Sequence, residues 1–142
     1  MISTTSFREQ HKEMLAIAGE ISKGLNVEAL KKDASNVRTL LSRLAGKLSV
    51  HLAMEDNALY PALVNHQDAS VRNMANGFVR EMGGIKKALD AYTRKWATAT
   101  LIQNAAADFV KDTRELFTAL ARRIGKEDNE LYAVIDRLFK NV

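Results

Sequence analysis

Cysteine is absent from these 142 residues, which excludes disulfides, thiolate metal sites and cysteine nucleophiles. Proline occurs once, as Pro61, and no Gly/Ser-rich or Pro-rich stretch interrupts the chain. Nothing marks a linker, so a single domain over residues 1–142 is expected. No apolar run approaches the length of a bilayer span. The N-terminus carries no basic segment followed by an apolar stretch, so a cytoplasmic protein with no membrane partner is expected. Aromatic residues make up only 6% of the chain, and the net charge of +4 comes from basic residues interspersed with acids. Pairs such as Lys31-Lys32, Lys86-Lys87 and Arg94-Lys95 read as solvated helix faces, and no nucleic-acid partner is expected. A phosphate-binding loop, a dinucleotide fingerprint and a nucleophile–base constellation are all missing, so enzyme activity is not expected either.

What is present is apolar periodicity. Hydrophobic residues make up 46% of the sequence, enough for a globular core, and they recur at alternating steps of three and four, the spacing of an amphipathic helix. The first stripe is Phe7, His11, Met14, Ala18, Ile21, Leu25. The second is Val37, Leu41, Leu44, Leu48, His51, Glu55, Ala58, Ala62. The third is Met74, Phe78, Met82, Ile85, Leu89, Tyr92, Trp96, and the fourth is Phe109, Thr113, Leu116, Leu120, Arg123, Glu127, Leu131, Val134, Leu138. Four long helices with short connections predict an all-α protein, an up-down antiparallel four-helix bundle.

The breaks carry their own signals. Gly24 and Asn26 can end the first helix, and Asp33 or Ser35 can cap the second. Val27 to Lys32 reads as a short helical turn, and Asn65 to Asp68 as the turn between helices two and three, with His66 facing water. The third helix is expected to end near Thr98 and the fourth to begin around Asn104. Gly83, Gly84 and Gly125 fall inside helices, either for close packing or to leave a channel.

The chain also repeats itself. Glu55-Asp56-Asn57-Ala58-Leu59-Tyr60 returns as Glu127-Asp128-Asn129-Glu130-Leu131-Tyr132, and Phe7/His11 is echoed by Phe78/Met82. Two helix pairs related by a pseudo-twofold axis follow from this.

The stripes are interrupted by ionisable residues at inward positions: His11, His51, Glu55, Arg123 and Glu127. Such residues are seldom inside unless paired or bound to metal. At a rise of about 1.5 Å per residue, antiparallel neighbours bring them, and Met82, to one level. Two imidazoles and two carboxylates suit iron, manganese or zinc. His51 and Glu55, at i and i+4, share a helix face. Plainer readings stand beside this one. His11 can be a hydrogen-bonded core histidine, His51 and Glu55 an ion pair, and Arg123 with Glu127 a structural salt bridge. Tyr60 and Tyr132 read as anchors of helix ends, with Asp56, Asn57, Asp128 and Asn129 facing water.

His11, His51-x-x-x-Glu55 followed by Leu59-Tyr60-Pro61, and Glu127 followed by Leu131-Tyr132 resemble the hemerythrin HHE cation-binding family over essentially the whole chain. The resemblance implies an up-down four-helix bundle with a non-haem di-iron centre in its core. It also implies oxygen binding or sensing, iron handling or nitric-oxide responses, with a small diatomic molecule as ligand. The family pattern wants a histidine after Glu81, where Met82 stands, and another where Arg123 stands. On that pattern one ion keeps His11, His51, Glu55 and Glu127, while the second loses its nitrogen ligands. Arg123 cannot ligate a metal. It is expected instead to fill the vacated space and pair with Glu55 and Glu127, with Met82 as core filler. The expectation is a cation-binding module with at most one iron or other divalent ion and no di-iron centre, in a sensory, iron-handling or stress-response role. The competing expectation is a metal-free regulatory or interaction module whose protein partner the sequence does not identify. An oxidase or ferroxidase is less favoured, because such di-iron enzymes use more carboxylates than this chain supplies.

Overall fold

The three-four spacing of apolar residues closes into helices throughout. The structure, a computed structural model, describes residues 3–139. The elements are α1 (Thr5–Lys23), α2 (Val27–Lys32), α3 (Ser35–Met54), a π turn (Glu55–Leu59) running into α4 (Tyr60–Val64), α5 (Ala69–Lys95), α6 (Ala99–Asn104), α7 (Ala106–Lys126), and a second π turn (Glu127–Leu131) running into α8 (Tyr132–Leu138). Among the described residues there is no strand. Because α3 is continuous with α4, and α7 with α8, the described residues form four long helical stretches and two short helices. Helix α1 packs on α3 and α7, α5 packs on α4 and α7, and α2 packs on α6 and α7.

Local chemistry sets the boundaries. Gly24 follows the last turn of α1, and a Cβ there would sit 2.9 Å from Val37 Cγ2, so glycine permits the close approach of α3. Asn26 caps α2 by accepting from Ala29 N at 2.9 Å, and Asp33 accepts from Ser35 N at 2.9 Å at the start of α3. Asp68 caps α5 and Thr98 caps α6 in the same way. That cap corrects one boundary: α5 ends at Lys95, and Thr98 opens a separate short helix before α7 begins at Ala106. Pro61 falls in the first turn of α4, the helical position where proline is best tolerated. A Cβ on Gly83, Gly84 or Gly125 would meet nothing within 4 Å, so none of them serves close helix packing.

The two π turns correct the inward register. The buried residues beyond Glu55 are Leu59, Tyr60 and Leu63, where regular counting gave Ala58 and Ala62. Beyond Glu127 they are Leu131, Tyr132 and Ile135, with Val134 and Leu138 only partly buried. A π turn adds one residue to a helical turn, so every later side chain rotates by about 100° relative to an unbroken α-helix. Both turns begin at a glutamate of the repeated hexapeptide.

The interior is divided. One apolar cluster contains Met14, Ile21, Leu30, Leu44, Leu48, Trp96 and Phe109, and a second contains Phe7, Leu59, Leu63, Phe78, Leu131 and Ile135. Between them along α1, α3 and α7 lie His11, His51, Glu55, Arg123 and Glu127, all buried. In the first cluster, Tyr92 Oη and Thr113 Oγ1 satisfy each other at 2.6 Å, and Trp96 packs edge-on against Phe109.

Candidate metal centre

Three long helical stretches supply the polar layer: His11 from α1, His51 and Glu55 from the end of α3 and its π turn, and Glu127 and Tyr132 from the second π turn and α8. His11 is 2% exposed, His51 and Glu127 1%, and Glu55 and Tyr132 are fully buried. His11 Nε2 lies 3.0 Å from His51 Nε2 and 3.2 Å from Glu127 Oε2. His51 Nε2 lies 3.0 Å from Glu55 Oε1 and 3.6 Å from Glu127 Oε2. One donor atom each from His11, His51 and Glu127 falls within 4.8 Å of the other two, an arrangement that can hold a metal ion. Glu55 adjoins this trio through His51 and Tyr132.

The tautomers follow from the outer partners. His11 Nδ1 lies 2.9 Å from Asp128 Oδ1, and His51 Nδ1 lies 2.6 Å from Gln10 Oε1. A carboxylate or amide oxygen can only accept, so each Nδ1 carries the hydrogen and donates it outward. The Gln10 amide is oriented by its other end, whose nitrogen lies 3.0 Å from Met54 Sδ. A ring held this way points Nε2 at the interior, where it can offer a lone pair once free of a proton, as metal-bound histidines fixed by outer hydrogen-bond acceptors do. Two such lone pairs at 3.0 Å repel unless positive charge lies with them, either a proton or a cation. Glu55 Oε1 adds a further sign. It is buried and close to His51 Nε2, yet not aligned for a hydrogen bond, and makes none. The residues present fit a cation.

The electrostatics agree. Burial opposes charge on His51, but the close carboxylates of Glu127 and Glu55 outweigh it and raise its pKa to about 9. Burial raises Glu55 to about 7 against the pull of His51. Glu127 also suffers burial, but the adjacent polar groups, the His11 and His51 imidazoles first, hold it well below the ordinary carboxylate range. Burial first, then the two carboxylates, keep Tyr132 a phenol. In the absence of metal, a proton on His51 supplies the positive charge.

The second half of the layer departs from expectation. Arg123 does not pair with Glu55 or Glu127: its guanidinium makes an ion pair with Glu81 and lies 5.1 Å from the Phe78 ring centre. Glu81 is half exposed, so the guanidinium reaches toward solvent, where charge costs less. Met82 is buried in the first apolar cluster, as filler. Among the described residues, the buried side-chain polar atoms without a hydrogen-bond partner are Glu55 Oε1, Tyr60 Oη and Arg123 Nε.

Three site residues were misread or overlooked from the sequence. Asp128, expected to face water, is half-buried against His11 and is itself approached by Arg8, 3.9 Å from the same Oδ1. Gln10 fixes His51, and its place beside His11 was the available signal. Tyr132 reaches the centre of the layer, with Oη 2.8 Å from Glu127 Oε2 and 2.9 Å from Glu55 Oε2. Asp56, Asn57 and Asn129 face water as expected, and His66 is half-buried in its turn.

An all-helical domain with a buried histidine–glutamate cluster able to hold a cation defines the class. The chain belongs to the hemerythrin family: the model of the hemerythrin HHE cation binding domain matches residues 3–135. No curated protein and no solved structure matches it.

Proposed function

We propose that this chain is a cation-binding domain that holds a single metal ion, iron foremost, through His11, His51 and Glu127, with Glu55 completing the set. The four long helical stretches run up and down as a bundle around it. The observation that supports this most directly is the pair of inward Nε2 atoms of His11 and His51, 3.0 Å apart, each with its Nδ1 committed to an outer acceptor. Asp128 and Gln10 orient the ligands, and the apolar clusters on either side exclude water. Iron bound there supplies a one-electron couple and an exchangeable position for a small diatomic ligand. The replaced half, with Met82 buried and Arg123 turned to Glu81, argues against a second ion and so against two-electron oxygen carriage. The role is sensory, iron-handling or stress-related rather than enzymatic, and the location cytoplasmic. No described helix is long and apolar enough to cross a membrane.

Elemental analysis of the purified protein, with melting curves in Fe(II) and Zn(II), tests this reading. Metal is expected to stabilise the fold by about 2.7 kcal/mol at a hundredfold excess over Kd. His51→Ala or the size-conserving Glu127→Gln should abolish the gain. Two tightly held irons per chain would overturn the single-ion reading. A melting midpoint indifferent to metal would leave a metal-free interaction module.

A further inference from the structure

Tyr132 follows Glu127 by five residues, and the intervening π turn brings its ring back over the layer. Its Oη stands 2.8 Å from Glu127 Oε2, 2.9 Å from Glu55 Oε2 and 3.3 Å from His11 Nε2. A phenol has one hydrogen to donate, yet three acceptors from three helical stretches converge on this one oxygen. The ring is fixed by packing, with centroids 5.3 Å from His11 and 5.8 Å from Phe7, so the oxygen is held where it is. Its counterpart in the repeat, Tyr60, is also buried, but its hydroxyl has no hydrogen-bond partner among the described residues.

Resting on the cation reading above, we propose that Tyr132 Oη is itself a metal donor and that it makes the centre selective for trivalent iron. On binding, the phenol O–H bond breaks, its proton leaves to solvent, and an oxygen lone pair forms the bond to the ion. No electron is transferred. Charge balance favours the trivalent ion. Tyr132, Glu55 and Glu127 then present three anionic oxygens beside two neutral imidazoles, which balances a charge of +3 in a layer almost without solvent. A divalent ion is already balanced by Glu55 and Glu127 and leaves the phenol protonated, so Tyr132 adds its donor oxygen only for the trivalent ion. Arg123 is committed to Glu81 and does not alter this sum. Phenolate and carboxylate are hard oxygen donors, suited to a hard ion.

The test uses the full chain and Fe(III) supplied as its nitrilotriacetate complex. A visible phenolate-to-iron charge-transfer band should appear and saturate at one ion per chain. Tyr132→Phe, which keeps the ring and its packing, should lose the band and bind Fe(III) roughly tenfold or more weakly. Its Zn(II) affinity by calorimetry should fall far less than its Fe(III) affinity, and its circular dichroism spectrum should be unchanged. Tyr60→Phe should keep the band. Fe(III) binding without such a band in the unaltered protein, or a band that survives in Tyr132→Phe, overturns the proposal while leaving the cation site intact. If neither Fe(III) nor Zn(II) binds, the cation reading fails and this inference with it.

Discussion

Arg123 pairs with Glu81 at the rim of the protein, just as His51 pairs with Gln10 in the other half. Gln10 and Glu81 each precede the residue that the repeat equates, His11 and Met82. The scaffold for positioning a side chain from the neighbouring helix thus persists in both halves, and only the residues it positions have changed. Glu81→Gln is expected to cost about 1 kcal/mol in urea denaturation, because the partner is half exposed and the guanidinium is not. Metal affinity should be untouched. A large drop in metal affinity would show that Arg123 serves the centre after all.

The outer acceptors should matter more than their exposure suggests. Gln10→Ala and Asp128→Ala each free an Nδ1–H and allow the ring to rotate or change tautomer. A loss of about 10- to 100-fold in metal affinity is expected, read by competition with a chelator. Asp128→Asn, which still offers an accepting oxygen, should lose less. Unchanged binding in all three variants would show that Gln10 and Asp128 do not orient the two imidazoles for metal.

Metal-free and metal-loaded protein should respond to pH in opposite ways. His51 is raised from 6.5 to about 9 on folding, so its contribution is complete below pH 6.5 and lost as pH rises through 9. Glu55, raised from 4.5 to about 7, adds to the fall between those values. Glu127 is lowered, so its contribution is present above 4.5 and lost in acid. The metal-free melting temperature should therefore decline from pH 6 to 9. Metal binding must displace the His51 proton, so apparent affinity should climb over the same range. A metal-free midpoint that rises toward pH 9 would contradict the buried His51–glutamate pairing.

The π turns supply a mechanical prediction. Deleting the exposed Asn129 should restore ordinary helical register and turn Leu131, Tyr132 and Ile135, all fully buried, away from the core. A loss of about 3 kcal/mol or more is expected, of the size seen on emptying a large core position, measured by chemical denaturation. Replacing Asn129 by alanine, with chain length kept, should be nearly neutral.

These turns also explain how far the sequence could be read. The stripes placed Phe7, Met14, Leu44, Leu48, Phe78, Tyr92 and Phe109 inside because a regular period carries information over many turns. The same count failed after Glu55, and after Glu127 it kept Leu131 but gave Val134 and Leu138 in place of Tyr132 and Ile135, since no periodic argument registers a single added residue. The repeated Glu-Asp-Asn-x-Leu-Tyr held that signal, visible only as similarity. His11, His51, Glu55 and Glu127 were legible because charge at an inward position is conspicuous. Gln10 and Asp128 were not, because they flank the stripe and act through their neighbours. Arg123 was placed correctly in depth but not in direction, since a long side chain can leave the core along its own methylenes.

The divided interior has a further consequence. The two apolar clusters meet across charged groups, and at that plane cohesion depends on protonation or on an ion rather than on oil-like contact. An empty centre therefore weakens this plane relative to the Leu59–Leu131 cluster on one side and the Trp96–Phe109 cluster on the other. Occupancy would be felt as a change in which amides exchange together, well before any change in shape.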